Sequence, residues 1–119
     1  VPVTLALVES PVGFLVQQRP QKGLLAGLWQ PVLWEGEHLL QAEALARLAA
    51  LGLDTGTATP AALPAAKHIF THIEWLMSGV QLHVPAQSAP AGYLWASREA
   101  LRTTYTLPGA FRAYKPLLL

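Results

Sequence analysis

The sequence predicts a mixed α/β sandwich, in which several short strands surround one central helix and one or two helices follow near the C-terminus. Apolar runs rich in strand-forming residues alternate with turn residues along most of the chain. One segment, residues 39–51, carries apolar residues at helical spacing. Strands and helices that share one core must pack in layers, which is the basis for the predicted sandwich.

The first strands are predicted from apolar runs on either side of turn residues. Residues 3–8 and 12–17 flank Glu9-Ser10-Pro11, a pattern typical of a β-hairpin. A loop containing two glycines then leads into a short strand at residues 28–32.

The central helix is predicted from Leu39 to Leu51. Gly52 follows as a natural C-terminal stop. The helical spacing is carried by the apolar residues Leu40, Ala44, Leu45, Leu48 and Leu51.

The second half of the chain is predicted to hold a loop and then more strands. Residues 54–64 are rich in Thr, Ala, Gly and Pro and predict a loop. Residues 66–84 contain β-branched and aromatic residues suited to one or two strands, which Ser78-Gly79 bends or interrupts. Residues 93–95 predict one more short strand.

Two short helices are predicted at the C-terminal end. Ser97 is a suitable N-cap for a helix running to about Arg102. Residues 107–114 predict a last short helix.

Length, composition and charge limit the classes of function that this chain can have. A length of 119 residues fits one domain, residues 1–119, and the opening Val1 favours a fragment of a longer protein. The absence of cysteine excludes disulfides, thiol catalysis and cysteine-ligated zinc or iron–sulfur clusters in this chain. No apolar run approaches a membrane span, so we expect no membrane partner. The net charge of +1 is low for a domain that holds DNA alone.

Three segments carry a family resemblance by their order and spacing. They contain Gly-Leu-Leu-Ala-Gly-Leu-Trp within residues 19–31, Phe-Thr-His within residues 67–75 and Leu-Pro-Gly-Ala-Phe within residues 107–112. Together they resemble the C-terminal domain of adenine DNA glycosylases of the MutY type. The chain departs from the family pattern in three ways: Gln30 stands where an acid is usual, the aromatic residue expected before Pro31 is missing, and Thr71 replaces the serine of Phe-Ser-His while keeping a hydroxyl.

The resemblance implies a Nudix-like α/β/α sandwich with a mixed sheet and a role in recognising 8-oxoguanine opposite adenine in base excision repair. The implied partners are duplex DNA containing that pair and the N-terminal catalytic domain of the same protein. The family's helix-hairpin-helix element and 4Fe-4S cluster belong to that catalytic domain. We therefore expect no cofactor, metal or catalytic residue in this chain, and a bacterial, cytoplasmic, DNA-associated protein.

The Nudix fold also serves enzymes that hydrolyse nucleoside diphosphate derivatives. Their box ends in Arg-Glu-x-x-Glu-Glu-x-Gly, and its glutamates bind magnesium. With Gly52 as the terminal glycine, the arginine position falls at Leu45 and Glu43 is the only carboxylate left on the helix. The three glutamate positions fall at Ala46, Ala49 and Ala50. Methyl groups cannot bind magnesium, so an amphipathic packing helix is the better interpretation. A protein-interaction domain on a Nudix scaffold stays open as an alternative.

The candidate recognition residues are Phe70, Thr71 and His72. 8-Oxoguanine carries an N7–H donor where guanine has an acceptor, so its recognition needs an acceptor against N7. A threonine hydroxyl can accept from N7–H and donate to O6, and a histidine ring can bond another base edge. Phe70 either wedges beside the base pair or braces the loop. The pattern alone favours an ordinary strand with Phe70 in the core, whereas the resemblance favours recognition by Thr71 and His72.

Four basic side chains are candidate DNA backbone contacts. Lys67 and His68 precede the recognition segment, and Arg112 and Lys115 lie in the basic C-terminal stretch. A solvated strand end and dispersed surface charge are the alternatives for these two pairs. The four histidines show no metal-ligand spacing, so a zinc site is not predicted.

Overall fold

A mixed β-sheet organises the computed structural model, which describes residues 1–57 and 59–119. Ala58, inside the predicted loop, lies outside the described residues. The strands in the described ranges are β1 (Pro2–Ser10), β2 (Gly13–Gln18), β3 (Trp29–Glu35), β4 (Ala61–Ala62), β5 (Ala66–Ile69), β6 (Glu74–His83) and β7 (Leu94–Ala96). No helix of the described chain is long and apolar enough to cross a bilayer.

The predicted hairpin and third strand are confirmed, and they set the sheet topology. The strand order is β4-β6-β1-β3-β2-β7, with β5 paired to β6 beside that path. β1 and β2 pair only near their turn, at Glu9↔Phe14 and Ser10↔Gly13. Beyond the turn β1 and β2 diverge, and β3 lies between them. The first residues of β3 pair with β2 and its last residues pair with β1. β1 and β6 form the parallel pair at the centre.

Helices cover both faces of this sheet, so the α/β/α sandwich is confirmed. They are α1 (Gln41–Ala50), α2 (Arg98–Thr103), a 3₁₀ helix (Gly109–Tyr114) and α3 (Lys115–Leu118). α1 buries Ala44 and Leu48 against a cluster that includes Val8 and Val80. The C-terminal helices cover the opposite face with Leu101, Phe111, Tyr114 and Leu118, which pack on Val3, Leu5 and Trp75.

The strand break in residues 66–84 lies at residues 70–73, so the predicted interruption at Ser78-Gly79 is wrong. β6 runs straight through Gly79, which pairs with Leu5 of β1. Gly79 has φ +152°, and a Cβ there would collide with the carbonyl oxygen of Leu5. Glycine is therefore present because two strands approach closely, and not because the chain turns.

Other bounds differ more modestly. The predicted loop contains the short strand β4, which pairs with Val80 and Gln81 of β6. Leu40 is the N-cap of α1 and is exposed, because the helix begins one residue later. Ser97 caps α2 as predicted, accepting from the Ala100 N–H at 3.1 Å. The predicted last helix begins at Gly109 as a 3₁₀ helix.

Candidate functional site

A tight four-residue turn, Phe70 to Ile73, joins β5 to β6 and carries the predicted recognition residues. The antiparallel register places Ile69 opposite Glu74, which leaves these four residues to reverse the chain. The Phe70 N–H closes the turn by donating to the Ile73 carbonyl at 2.7 Å. The recognition turn is thus a defined hairpin end on the longest strand of the sheet.

Phe70 braces this turn against the core. Its ring is half-buried and meets the Trp75 ring edge-on, with centroids 5.1 Å apart. The His68 ring meets Phe70 in the same way at 4.7 Å. Trp75 in turn packs on Phe111, and both are fully buried. Of the two roles left open for Phe70, this geometry favours the brace.

Thr71 and His72 project from the braced turn into solvent. Both are exposed, and neither side chain hydrogen-bonds to any described residue. Their hydroxyl and ring nitrogens are therefore available to a ligand. A hydroxyl that both donates and accepts, next to an imidazole, suits the edge of a nucleobase.

A cleft beside the turn gathers three of the four predicted backbone contacts. We call it the basic cleft. Its volume is about 230 Å³, and it is lined by Lys67, His68, Met77, Gly109, Ala110, Arg112 and Ala113. Lys115 does not reach it, because the 3₁₀ helix directs Lys115 to a separate pocket shared with Arg102. Lys115 therefore lies apart from the other three candidates, and its role as a backbone contact stays a prediction.

Arg19 organises the loop between β2 and β3, a role that the sequence interpretation missed. The guanidinium is buried and donates to the Leu24 carbonyl at 3.0 Å and to the Gln30 side-chain oxygen at 2.7 Å. It also pairs with Glu35 at 2.7 Å and lies 5.6 Å above the Trp75 ring. The only signal in the sequence was the Arg19-Pro20 pair at the start of the segment that carries the family resemblance, and nothing there marks Arg19 as buried.

Three methyl groups lie on the exposed surface of α1 where the box glutamates would stand. Ala46, Ala49 and Ala50 are all solvent-exposed. Glu43 accepts from the Leu40 N–H at 2.9 Å, so this carboxylate serves the start of the helix. No group of three or more His, Cys, Asp or Glu side chains in the described ranges could hold a metal ion.

A charged pair flanks that face. Arg47 donates to both Glu37 oxygens, at 2.7 and 2.9 Å. This hydrogen-bonded guanidinium holds the pKa of the Glu37 carboxyl below its ordinary value. The Glu37 carboxylate therefore stays charged and is already paired with Arg47.

The comparison with protein families decides the fold family. The model of the NUDIX domain matches residues 3–115. This chain belongs to the Nudix domain family. The predicted resemblance to a Nudix-like domain is confirmed.

Two similar proteins are adenine DNA glycosylase and MUTYH. This chain is 32% identical over 111 residues to human adenine DNA glycosylase, and the match covers 85% of the chain and 20% of that relative. The chain thus spans a fifth of the relative's length. It also superposes on the C-terminal domain of mouse MUTYH, solved in complex with human PCNA, with TM-score 0.72 and 25% identity, covering 98% of this chain and 88% of that one. The predicted resemblance to the C-terminal domain of adenine DNA glycosylases is confirmed by both.

A second solved neighbour shares only the fold with this chain. The MutT protein from Methanosarcina mazei Go1 matches with TM-score 0.70 and 21% identity, covering 98% of this chain and 91% of that one. The architecture is therefore common to both groups, and function has to be argued from the side chains.

Proposed function

We propose that this Nudix domain is the lesion-recognition module of an A/G-specific adenine DNA glycosylase, and that it reads 8-oxoguanine opposite adenine. The observation that carries the proposal is the braced turn that presents Thr71 and His72 to solvent. Similarity to human adenine DNA glycosylase over most of the chain supports a role in adenine-glycosylase repair. The partners would be duplex DNA and the catalytic domain of the same protein.

The chemistry of the lesion fits this turn. The Thr71 hydroxyl can accept from N7–H of 8-oxoguanine and donate to O6, whereas guanine offers no N7–H. His72 can bond a neighbouring edge of the same base. Phe70 would act indirectly, because its packing on Trp75 fixes the position of the turn.

The domain is proposed to be non-catalytic by itself. A Nudix hydrolase needs carboxylates for magnesium, and the corresponding positions are the alanines of α1. Excision of adenine would belong to the catalytic domain of the parent protein, which in the family carries the 4Fe-4S cluster.

The test uses the full-length parent protein. Thr71→Ala should reduce the preference for adenine opposite 8-oxoguanine over adenine opposite guanine by about 1 kcal/mol, the lower end for a base-edge contact. Thr71→Ser should be nearly silent because the hydroxyl survives. The double variant Thr71→Ala/His72→Ala should lose more. Single-turnover excision rates and Kd values on the two duplexes give the measurement.

Thr106→Ala is the matched control, since Thr106 is an exposed threonine far from the turn in sequence. It should leave the preference unchanged. Equal losses on both duplexes in Thr71→Ala would point to backbone contact or misfolding, and the recognition role of Thr71 would have to be withdrawn.

An interaction module is the second candidate function. Beside the β5–β6 hairpin lies a shallow, mostly apolar groove of about 560 Å³. Leu76 in this groove is 50% exposed and neighbouring Ile69 is 63% exposed. The related mouse domain was solved with human PCNA, so a PCNA-like protein is the partner to test. Leu76→Lys should weaken such a complex, measured by calorimetry, and an unaffected Kd would count against the groove.

A further inference from the structure

The basic cleft differs from the pocket around Glu9 because no described carboxylate lies as close to its cations as Glu9 lies to its partners. Among the described lining residues of the cleft there is no carboxylate. Lys67 meets Glu74 only at 3.9 Å, and these side chains are 58% and 45% exposed, so the pair is weak. Arg112 forms no ion pair with any residue that the structure describes.

The pocket around Glu9 provides the contrast. There Arg98 lies 3.2 Å and His83 3.0 Å from the Glu9 carboxylate, and Arg98 also donates to the Leu117 carbonyl. That carboxylate balances its neighbours, and Arg98 ties the C-terminal helix to β1. The basic cleft has no such carboxylate among its described lining residues.

The basic cleft is large enough for an oxyanion and is bordered by an edge strand. Its volume of about 230 Å³ is several times the roughly 30 Å³ that one water molecule takes in the liquid, so a phosphate group fits. One wall is β5, whose strand pairing within the described chain is with β6 alone. A strand at a sheet edge leaves some N–H groups without a partner in the sheet, and these can add donors to those of the side chains.

The cleft also lies at a fitting distance from the recognition turn. The His68 ring touches Phe70, the first residue of the turn. Lys67 precedes Phe70 by three residues, about 10 Å along an extended strand. The major groove of B-DNA is about 12 Å wide, so a turn at a base edge would have a backbone phosphate within that reach.

We infer that the basic cleft binds a phosphodiester of the DNA backbone near the recognised base, with Lys67 and Arg112 supplying the charge and His68 a ring N–H. This inference rests on the proposed function, because it needs the turn to face a base. The contact carries no sequence information. It sets the register in which Thr71 meets the lesion.

The test is a titration of the 119-residue chain, labelled with ¹⁵N, with inorganic phosphate and with a short undamaged duplex. Both ligands should shift the amide signals of Lys67, His68, Gly109 and Arg112. Lys67→Gln and Arg112→Gln should each weaken duplex binding up to about fivefold, as for an exposed ion pair. A plot of the logarithm of the association constant against the logarithm of the salt concentration has a negative slope. Loss of one phosphate contact should make that slope shallower by about 0.9. Arg112→Lys should retain most of the affinity.

Arg102→Gln is the matched control, because Arg102 is exposed but lines the separate pocket. It should bind the duplex as the parent chain does, and thermal melting should show all variants folded. The inference is overturned if Arg102→Gln weakens binding as much as Arg112→Gln. It is overturned as well if inorganic phosphate shifts the cleft signals and the duplex does not, or if neither ligand shifts them.

Failure of the proposed function would look different. In that case the cleft variants would still weaken binding, but the full-length protein would show no lesion preference that depends on Thr71. If the full-length protein shows a lesion preference that depends on Thr71 but the cleft variants bind the duplex normally, the phosphate contact is rejected and the proposed function stands.

Discussion

Arg19 shows how one buried charge can hold a whole loop. Its ion pair with Glu35 is partly exposed and contributes at most about 1 kcal/mol, although the two groups are only 2.7 Å apart. The hydrogen bonds to the Leu24 carbonyl and to Gln30 matter more, because losing them leaves polar groups unpaired.

Arg19→Lys should therefore destabilise the domain although it keeps the charge. An ammonium group cannot reproduce the planar fork of donors, and we expect the free energy of unfolding to fall by about 1–3 kcal/mol. Urea denaturation measures this change. Arg102→Lys on the exposed surface of α2 should change it by less than about 0.5 kcal/mol. Equal effects of the two substitutions would remove the special role assigned to Arg19.

Tyr114 gives the domain a defined response to alkaline pH. The side chain is buried and its hydroxyl donates to the Pro64 carbonyl at 2.8 Å. Burial raises the pKa of Tyr114, and also that of Tyr93. A raised tyrosine pKa means that the folded state keeps its proton longer than the unfolded chain does. Its contribution to stability is complete below pH about 10 and is lost as the pH rises further.

Tyr114→Phe should lower the unfolding free energy by about 1 kcal/mol at pH 7 and make it less sensitive to pH above about 10. The sensitivity should fall further when Tyr93→Phe is added. Denaturation curves collected between neutral and alkaline pH test both statements. A decline of unchanged steepness in the double variant would assign the alkaline response to other groups.

At the scale of the elements, the parallel pair of β1 and β6 depends on the absence of one side chain. Gly79→Ala places a methyl group against the Leu5 carbonyl in the middle of that pair. We expect a loss of more than about 3 kcal/mol, among the large effects of single substitutions. Thermal or chemical unfolding provides the measurement. Gly109→Ala is the control, since a Cβ there meets no atom within 4 Å. Similar stabilities of the two variants would contradict the close approach.

The same strand pair explains what the sequence could and could not predict. The β1–β2 hairpin and α1 follow local patterns, and the structure confirms them. The turn at residues 70–73 has no glycine or proline, and Phe, Thr and Ile are strand formers, so nothing local marks it. Gly79 looks like a breaker but is required by a strand distant in sequence. β4 is two residues long and exists only through its pairing with β6.

The candidate site was predictable only in part for a similar reason. Thr71 and His72 were found through a family resemblance, and no periodicity marked them. Lys67 and Arg112 come together because the 3₁₀ helix packs beside β5, a tertiary contact that spacing cannot reveal. Lys115 lies close to Arg112 in sequence, yet the turn of the chain at Tyr114 carries it elsewhere.

At the scale of the whole molecule, the isolated chain should not hydrolyse nucleoside diphosphate derivatives. The positions that would bind magnesium carry the methyl groups of Ala46, Ala49 and Ala50, and Glu37 is neutralised by Arg47. Incubation with 8-oxo-dGTP and magnesium, followed by chromatography, should show no product above a boiled control. Magnesium-dependent turnover would contradict the proposed non-catalytic role.

The alanine face of α1 also changes how the domain meets a polyanion. Three glutamates at Ala46, Ala49 and Ala50 would turn the formal net charge from +1 to −2. Such a surface would repel the phosphate backbone over roughly the 8–10 Å Debye length of physiological salt. Under the proposed function, the alanines leave no such barrier on this face, and the cations near the recognition turn would guide the diffusional encounter with DNA. The absence of these three carboxylates would then bear on the rate of association as well as on the lack of a magnesium site.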